Sequence, residues 1–148
     1  MEIRQRNQAR RKLAEGGVRD RITGCLLWTG GTNGAGYGAC WIDGRSVLVH
    51  KLSYLLNCGK VDRRNVVAHK CDNTLCFEPT HLEQKSQSAN LTDAILRNRM
   101  PGLVLDVDKV RQIRAAQGSR TAKDVALSYG ISSRMVYRIW RREAWKFV

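Results

Sequence analysis

The chain has 148 residues, 43% of them hydrophobic, enough for one modest domain or two small ones with a folded core. Its formal net charge is +13 and its pI is about 10.2, a balance that points to a polyanionic partner, most often nucleic acid. No apolar run is long enough to span a bilayer, so a membrane partner is not expected.

The charge is uneven. Residues 1–21 carry seven Lys/Arg and three Asp/Glu, a net of +4; residues 22–96 carry seven and six, a net of +1; residues 97–148 carry twelve and four, a net of +8. A near-neutral centre flanked by two basic ends suits a catalytic core between electrostatic clamps. The N-terminus, MEIRQRNQARRKLAEGG, lacks an apolar stretch after its basic residues and does not read as a signal peptide. An intracellular, cytoplasmic protein is expected. Its five cysteines, an odd count, are then not expected to form structural disulfides.

In chain order, residues 1–20 read as a basic, partly helical arm broken at Gly16-Gly17. Residues 21–100 read as a mixed strand-and-helix domain. Strands are expected at 25–28 and 37–42, separated by the glycine-rich TGGTNGAGYG, which reads as a hairpin loop. That stretch lacks the Gly-Lys-Ser/Thr ending and the strand–loop–helix order of a phosphate loop. Asp43-Gly44 is a tight hairpin turn. SVLVHKLSYLL (46–56) passes from alternation to helical spacing, with Leu48, Leu52, Leu55 and Leu56 on one face. His50, in this apolar setting, is expected as a packed histidine and not a catalytic one. Strands at 66–69 and 81–84 and a helix over 86–98, capped by Ser86, make a ββα unit. Residues 101–148 are expected as a linker from Pro101-Gly102 and a small all-α domain.

The densest chemistry lies in HKCDNTLCFEPTHL (69–82). Cys71, Cys76 and His81 fall five residues apart, with turn residues between them, and thiolate plus imidazole is the set zinc prefers in tetrahedral geometry. Cys25, at the start of the first strand, is the best fourth ligand. Cys40 and Cys58 have no partners at useful spacing, and Asp72 reads as a turn residue. His69, two residues before the first ligand, is expected to point away from the ligand loop. A strand histidine and the helix residue Asn90 could face one phosphate.

These motifs resemble the HNH and His-Cys box homing endonucleases of the ββα-metal class. The resemblance runs over about residues 23–99. It includes GCLLWTG (24–30), GYG (36–38) and DGRSVLVHKLSY (43–54), and resembles the phage and intron-encoded HNH group. It implies a zinc-stapled α+β nuclease domain that hydrolyses phosphodiester bonds. His69 corresponds to the general base and Asn90 to the ligand of a catalytic divalent ion, expected to be Mg2+. Cys71, Cys76 and His81 correspond to structural Zn2+ ligands, with Cys25 as the fourth. The chain departs from the family pattern at Glu78, where Asn is common, at Lys85-Ser86, where Gly-Thr is common, and at Ala89, where Glu is common. Ala68 stands where many relatives carry a second metal-ligating Asp, so Asn90 and DNA oxygens would hold the ion. Arg45 is a candidate to hold the phosphate.

The C-terminal segment resembles the helix-turn-helix module often appended to phage HNH endonucleases. Val107, Val110, Ile113 and Ala116 share one helix face; residues 121–128 form a second helix; Ser132 caps a third. The third helix would enter the major groove and expose Ser133, Arg134, Tyr137, Arg138 and Arg141. The expected partner is double-stranded DNA and the expected state a monomer. The alternative is a non-enzymatic zinc plus helix-turn-helix regulator, which has no use for His69 with Asn90. An RNA binder is disfavoured because no aromatic stacking platform is evident.

Overall fold

The computed structural model describes residues 2–100 and 102–148. They group into two compact units, residues 1–87 and 88–148. In the first, α1 (Ile3–Glu15) is followed by β1 (Gly17–Arg19), β2 (Leu26–Trp28), β3 (Ala39–Ile42), β4 (Arg45–Leu48), α2 (Val49–Asn57), β5 (Asn65–His69) and β6 (Leu82–Ser86). The strands form three separate antiparallel pairs, β1–β2, β3–β4 and β5–β6. The next helix, α3 (Gln87–Leu96), follows β6 without an intervening residue.

The N-terminal segment, expected as an arm, is helix α1, and it buries Ala9 and Leu13 in a core with Trp28, Cys40, Ile42, Val49, Leu52 and Phe77. Its helical stripe is short because the opposite face is arginine-rich and stays in water. The chain leaves the helix at Gly16 because Trp28 lies against it: a Cβ on Gly16 would sit 2.2 Å from the indole ring.

The glycine-rich stretch closes a small hairpin of its own, with Thr32 and Gly38 in an antiparallel bridge and Asn33 N donating to the Tyr37 carbonyl at 2.9 Å, but it does not join β2 to β3 as a hairpin. β2 pairs with β1, and β3 with β4, so the stretch links two different ribbons. It folds over Trp28 instead: the indole Nε1 donates to the Gly31 carbonyl at 3.0 Å, and a Cβ on Gly30 would lie 2.7 Å from the ring. Side chains there would displace the largest ring of the core. Asp43-Gly44 forms the expected turn, both residues at positive φ, with Ile42 opposite Arg45.

Helix α2 places its buried face slightly differently from the leucine spacing. Val49, His50, Leu52 and Ser53 are its buried residues, and Leu56 packs at the margin. Ser53 is tolerated inside because its Oγ donates to the Phe77 carbonyl at 2.6 Å.

The second unit holds α4 (Val107–Ala115), α5 (Ala122–Tyr129) and α6 (Ser133–Trp140). Asp106, Thr121 and Ser132 cap their N-termini through side-chain oxygens, and Gly130 ends α5 in the left-handed conformation. Leu105, Val110, Ile113, Val125, Ala126, Val136 and Ile139 form the core, with Ala122. Among the described residues no helix is long and apolar enough to cross a membrane.

Candidate metal centre and active site

Four side chains from three separate stretches converge in the first unit. The ligating atoms of Cys25, Cys71, Cys76 and His81 all lie within 4.8 Å of one another. Each is placed by backbone bonds that the local sequence makes possible. Cys25 leaves a turn in which the Asp20 carboxylate accepts from Thr23 Oγ1 and Ile22 N, and Asp20 N donates to the Cys25 carbonyl. The Thr23 and Ile22 bonds hold the Asp20 carboxyl below the usual range. Cys71 and Cys76 bracket a turn in which Asp72 is left-handed and Asn73 Oδ1 accepts from Leu75 N, the role expected for Asp-Asn. His81 ends a 3-10 turn, Pro79–His81, whose first residue follows Glu78.

Glu78, one of the departures from the family pattern, is structural in this chain. Its carboxylate lies 2.6 Å from Arg19 Nη2 and caps the 3-10 turn through Thr80 N. Burial works to raise its pKa, but the bonds from Arg19 and Thr80 outweigh burial and hold it below the usual carboxylate range.

His81 turns Nδ1 toward the sulphurs, 3.5 Å from Cys25 Sγ and 3.6 Å from Cys76 Sγ. Cys25 and Cys76 are buried. Burial, with the neighbouring Cys25 and Cys71 thiols, pushes the Cys76 thiol up to about 12. Three crowded sulphurs cannot all be thiolates without a cation among them, and a bound metal ion reverses that balance. Soft sulphur, one imidazole nitrogen, four-fold convergence and burial fit zinc. Cys40 is buried and Cys58 exposed, both outside the cluster.

His69 ends β5, opposite Leu82. Its place two residues before Cys71 predicts a ring pointing away from the ligand loop; the structure shows the reverse. Its Nε2 lies 2.9 Å from the carbonyl oxygen of Cys76. Asp72, in the left-handed conformation, lies in the turn between the two residues. A carbonyl only accepts, so Nε2 carries a proton, and in the neutral form of the ring the lone pair falls on Nδ1. Two further rings face it: His50 at 4.7 Å and Tyr37 at 6.0 Å between centroids. Sequence reasoning misses His50 as a neighbour of His69, because nineteen residues and a change from helix to strand separate them. The sequence signal at this position is a histidine on an apolar helix face.

The other expected residues lie on other elements. Ala68 is buried and pairs with Glu83 across the ladder. Arg45 is exposed and lines a recess of about 270 Å3 with Gln5, Ile42, Lys51 and Leu55, not with His69. Asn90 stands near the start of α3 and is half-buried. In the second unit, Arg134, Tyr137, Arg138 and Arg141 line a hollow of about 510 Å3 along α6, and the Arg141 guanidinium lies 5.8 Å from the Tyr137 ring centroid. Ser133 opens that helix.

The HNH endonuclease family model matches residues 47–92, a span that contains His50, His69, three of the four cluster residues and Asn90. Two phage relatives align over most of the chain. Protein 7.7 of Escherichia phage T7 is 31% identical over 129 residues, covering 84% of this chain and 98% of that protein. Protein 2.8 of the same phage is 30% identical over 137 residues, covering 92% and 90%. No solved structure matches. The chain therefore carries an HNH endonuclease domain, which points to DNA as substrate and to a divalent metal in the reaction. It belongs to one family with these two phage proteins.

Proposed function

We propose that this protein is a metal-dependent DNA endonuclease in which His69 is the general base and Asn90 ligates a divalent ion, expected to be Mg2+. The observation that carries the reading is the bond between His69 Nε2 and the Cys76 carbonyl, because it leaves Nδ1 as the proton acceptor. Asn90 supports the reading from sequence: it lies in the same family match and offers a hard amide oxygen. His69 Nδ1 would take a proton from the attacking water while Cys76 keeps the ring in its orientation. The ion, when bound by Asn90 and DNA oxygens, would offset charge developing on the phosphate and the leaving oxygen. Zinc on Cys25, Cys71, Cys76 and His81 is a staple for a small core.

Target choice is assigned to the second unit. α5, the turn at 130–132 and α6 would act as a helix-turn-helix on double-stranded DNA, with Ser133, Arg134, Tyr137, Arg138 and Arg141 toward the groove. Arg45 would serve a flanking phosphate. The protein would act as a monomer, a site-recognising enzyme of homing type, inside a phage-infected bacterial cell.

The test is incubation of purified protein with duplex DNA and Mg2+. Cutting or nicking that EDTA stops and that leaves 5′-phosphate and 3′-hydroxyl ends is expected. Tight DNA binding with no cutting under any divalent ion would favour the non-enzymatic regulator instead.

A further inference from the structure

We infer that His50 is a positioning residue for His69: its buried ring packs on the His69 imidazole and, with Tyr37 and the Cys76 carbonyl, fixes the plane from which Nδ1 takes a proton. The inference rests on the reading of His69 as the base.

His50 is 3% exposed, on a helix locked by Val49, Leu52 and the Ser53–Phe77 hydrogen bond. Its ring centroid is 4.7 Å from that of His69, tilted by 55°, and 5.3 Å from that of Tyr37. Tyr37 in turn lies nearly parallel to His69, at 29°. The base therefore has a hydrogen bond at Nε2 and ring neighbours in His50 and Tyr37. His50 Nδ1 is sealed from solvent with no hydrogen-bond partner among the described residues. That nitrogen joins no network among the described residues, and what the structure shows at position 50 is a flat ring beside the base. Burial beside His69 and Lys51 pushes the His50 pKa down to about 3, which keeps the ring uncharged when His69 takes its proton. A general base must meet its proton within a narrow geometry, and a misplacement of about 1 Å can cost about a hundredfold.

The experiment compares His50→Leu and His50→Phe with wild type and His69→Ala for single-turnover cutting rate, DNA affinity and melting temperature, all as zinc-loaded full chain. Leucine fills the site without a flat ring. His50→Leu is expected to lose cutting by about a hundredfold with unchanged DNA affinity. His50→Phe is expected to recover most of that loss and to melt no lower than wild type, since it removes the orphaned nitrogen. Because His50 acts through His69, His50→Leu combined with His69→Ala should be no slower than His69→Ala alone. Wild-type cutting by His50→Leu, failure of a folded His50→Phe to recover activity, or additive losses in the double variant would each overturn the inference. Should His50→Leu not fold, the recovery by His50→Phe decides. Full activity in His69→Ala would instead remove the base assignment and this inference with it.

Discussion

Cys76 holds His69 with its carbonyl oxygen while its sulphur belongs to the four-residue cluster with Cys25, Cys71 and His81. One residue thus joins the candidate zinc site to the candidate base. A structural ion in this position does more than close a loop. It would fix the peptide that sets the histidine tautomer, so its loss should cost both stability and ring orientation.

The first prediction concerns that ion. Cys25→Ser should lower zinc content and collapse the melting transition of the first unit, because bound structural zinc contributes an apparent ~10–16 kcal/mol in zinc-finger peptides at neutral pH. Metal analysis and calorimetry check this. A chain stripped of metal that retains its full transition would contradict the staple.

Stability should also depend on pH through His50. Its folded pKa is depressed to about 3, below the ordinary value of 6.5, chiefly by burial and next by His69 and Lys51. The unfolded chain therefore takes up a proton that the native one refuses. The contribution is fully present above pH 6.5 and is lost as pH falls toward 3, by up to about 1.4 kcal/mol per pH unit. Denaturant unfolding between about pH 7 and pH 5 should show this slope in wild type and a shallower one in His50→Phe. Equal slopes would place the buried charge cost elsewhere.

Packing around Trp28 gives a third prediction. With a Cβ 2.2 Å from the indole, Gly16→Ala should destabilise the first unit by about 1–3 kcal/mol, the usual range for overpacking a filled core. An unchanged denaturation midpoint would mean that the ring has room to move.

A fourth concerns the basic helix α6. Replacing Arg134, Arg138 and Arg141 with Gln should weaken DNA binding and flatten its salt dependence, the slope falling by about 0.9 for each phosphate that is no longer neutralised. Affinity measured across a salt series reads this directly. An unaltered slope would remove α6 from the interface.

Much of the site was legible because its chemistry is written in residue type and spacing. Cys71, Cys76 and His81 sit in one short segment, and Cys25 immediately precedes β2 of the same unit; the structure brings all four together. The helices of the second unit were readable from their apolar spacing and, for α6, from its cap, Ser132. What sequence did not reveal depends on residues distant along the chain. His69 meets the Cys76 carbonyl seven residues on, across a turn that contains the left-handed Asp72, a return of the chain that the two-residue spacing to Cys71 does not show. His50 reaches His69 through the packing of α2 on β5, which no local period encodes. Gly30 and Gly38 read as turn residues, yet they line the wall of the Trp28 pocket.

The most direct measurement of the central claim is Mg2+-dependent cleavage of duplex DNA by wild type and His69→Ala, with DNA affinity measured in parallel. His69→Ala is expected to bind DNA as wild type does but to cut it about 10²–10⁴-fold more slowly. Cutting by His69→Ala at the wild-type rate would contradict it.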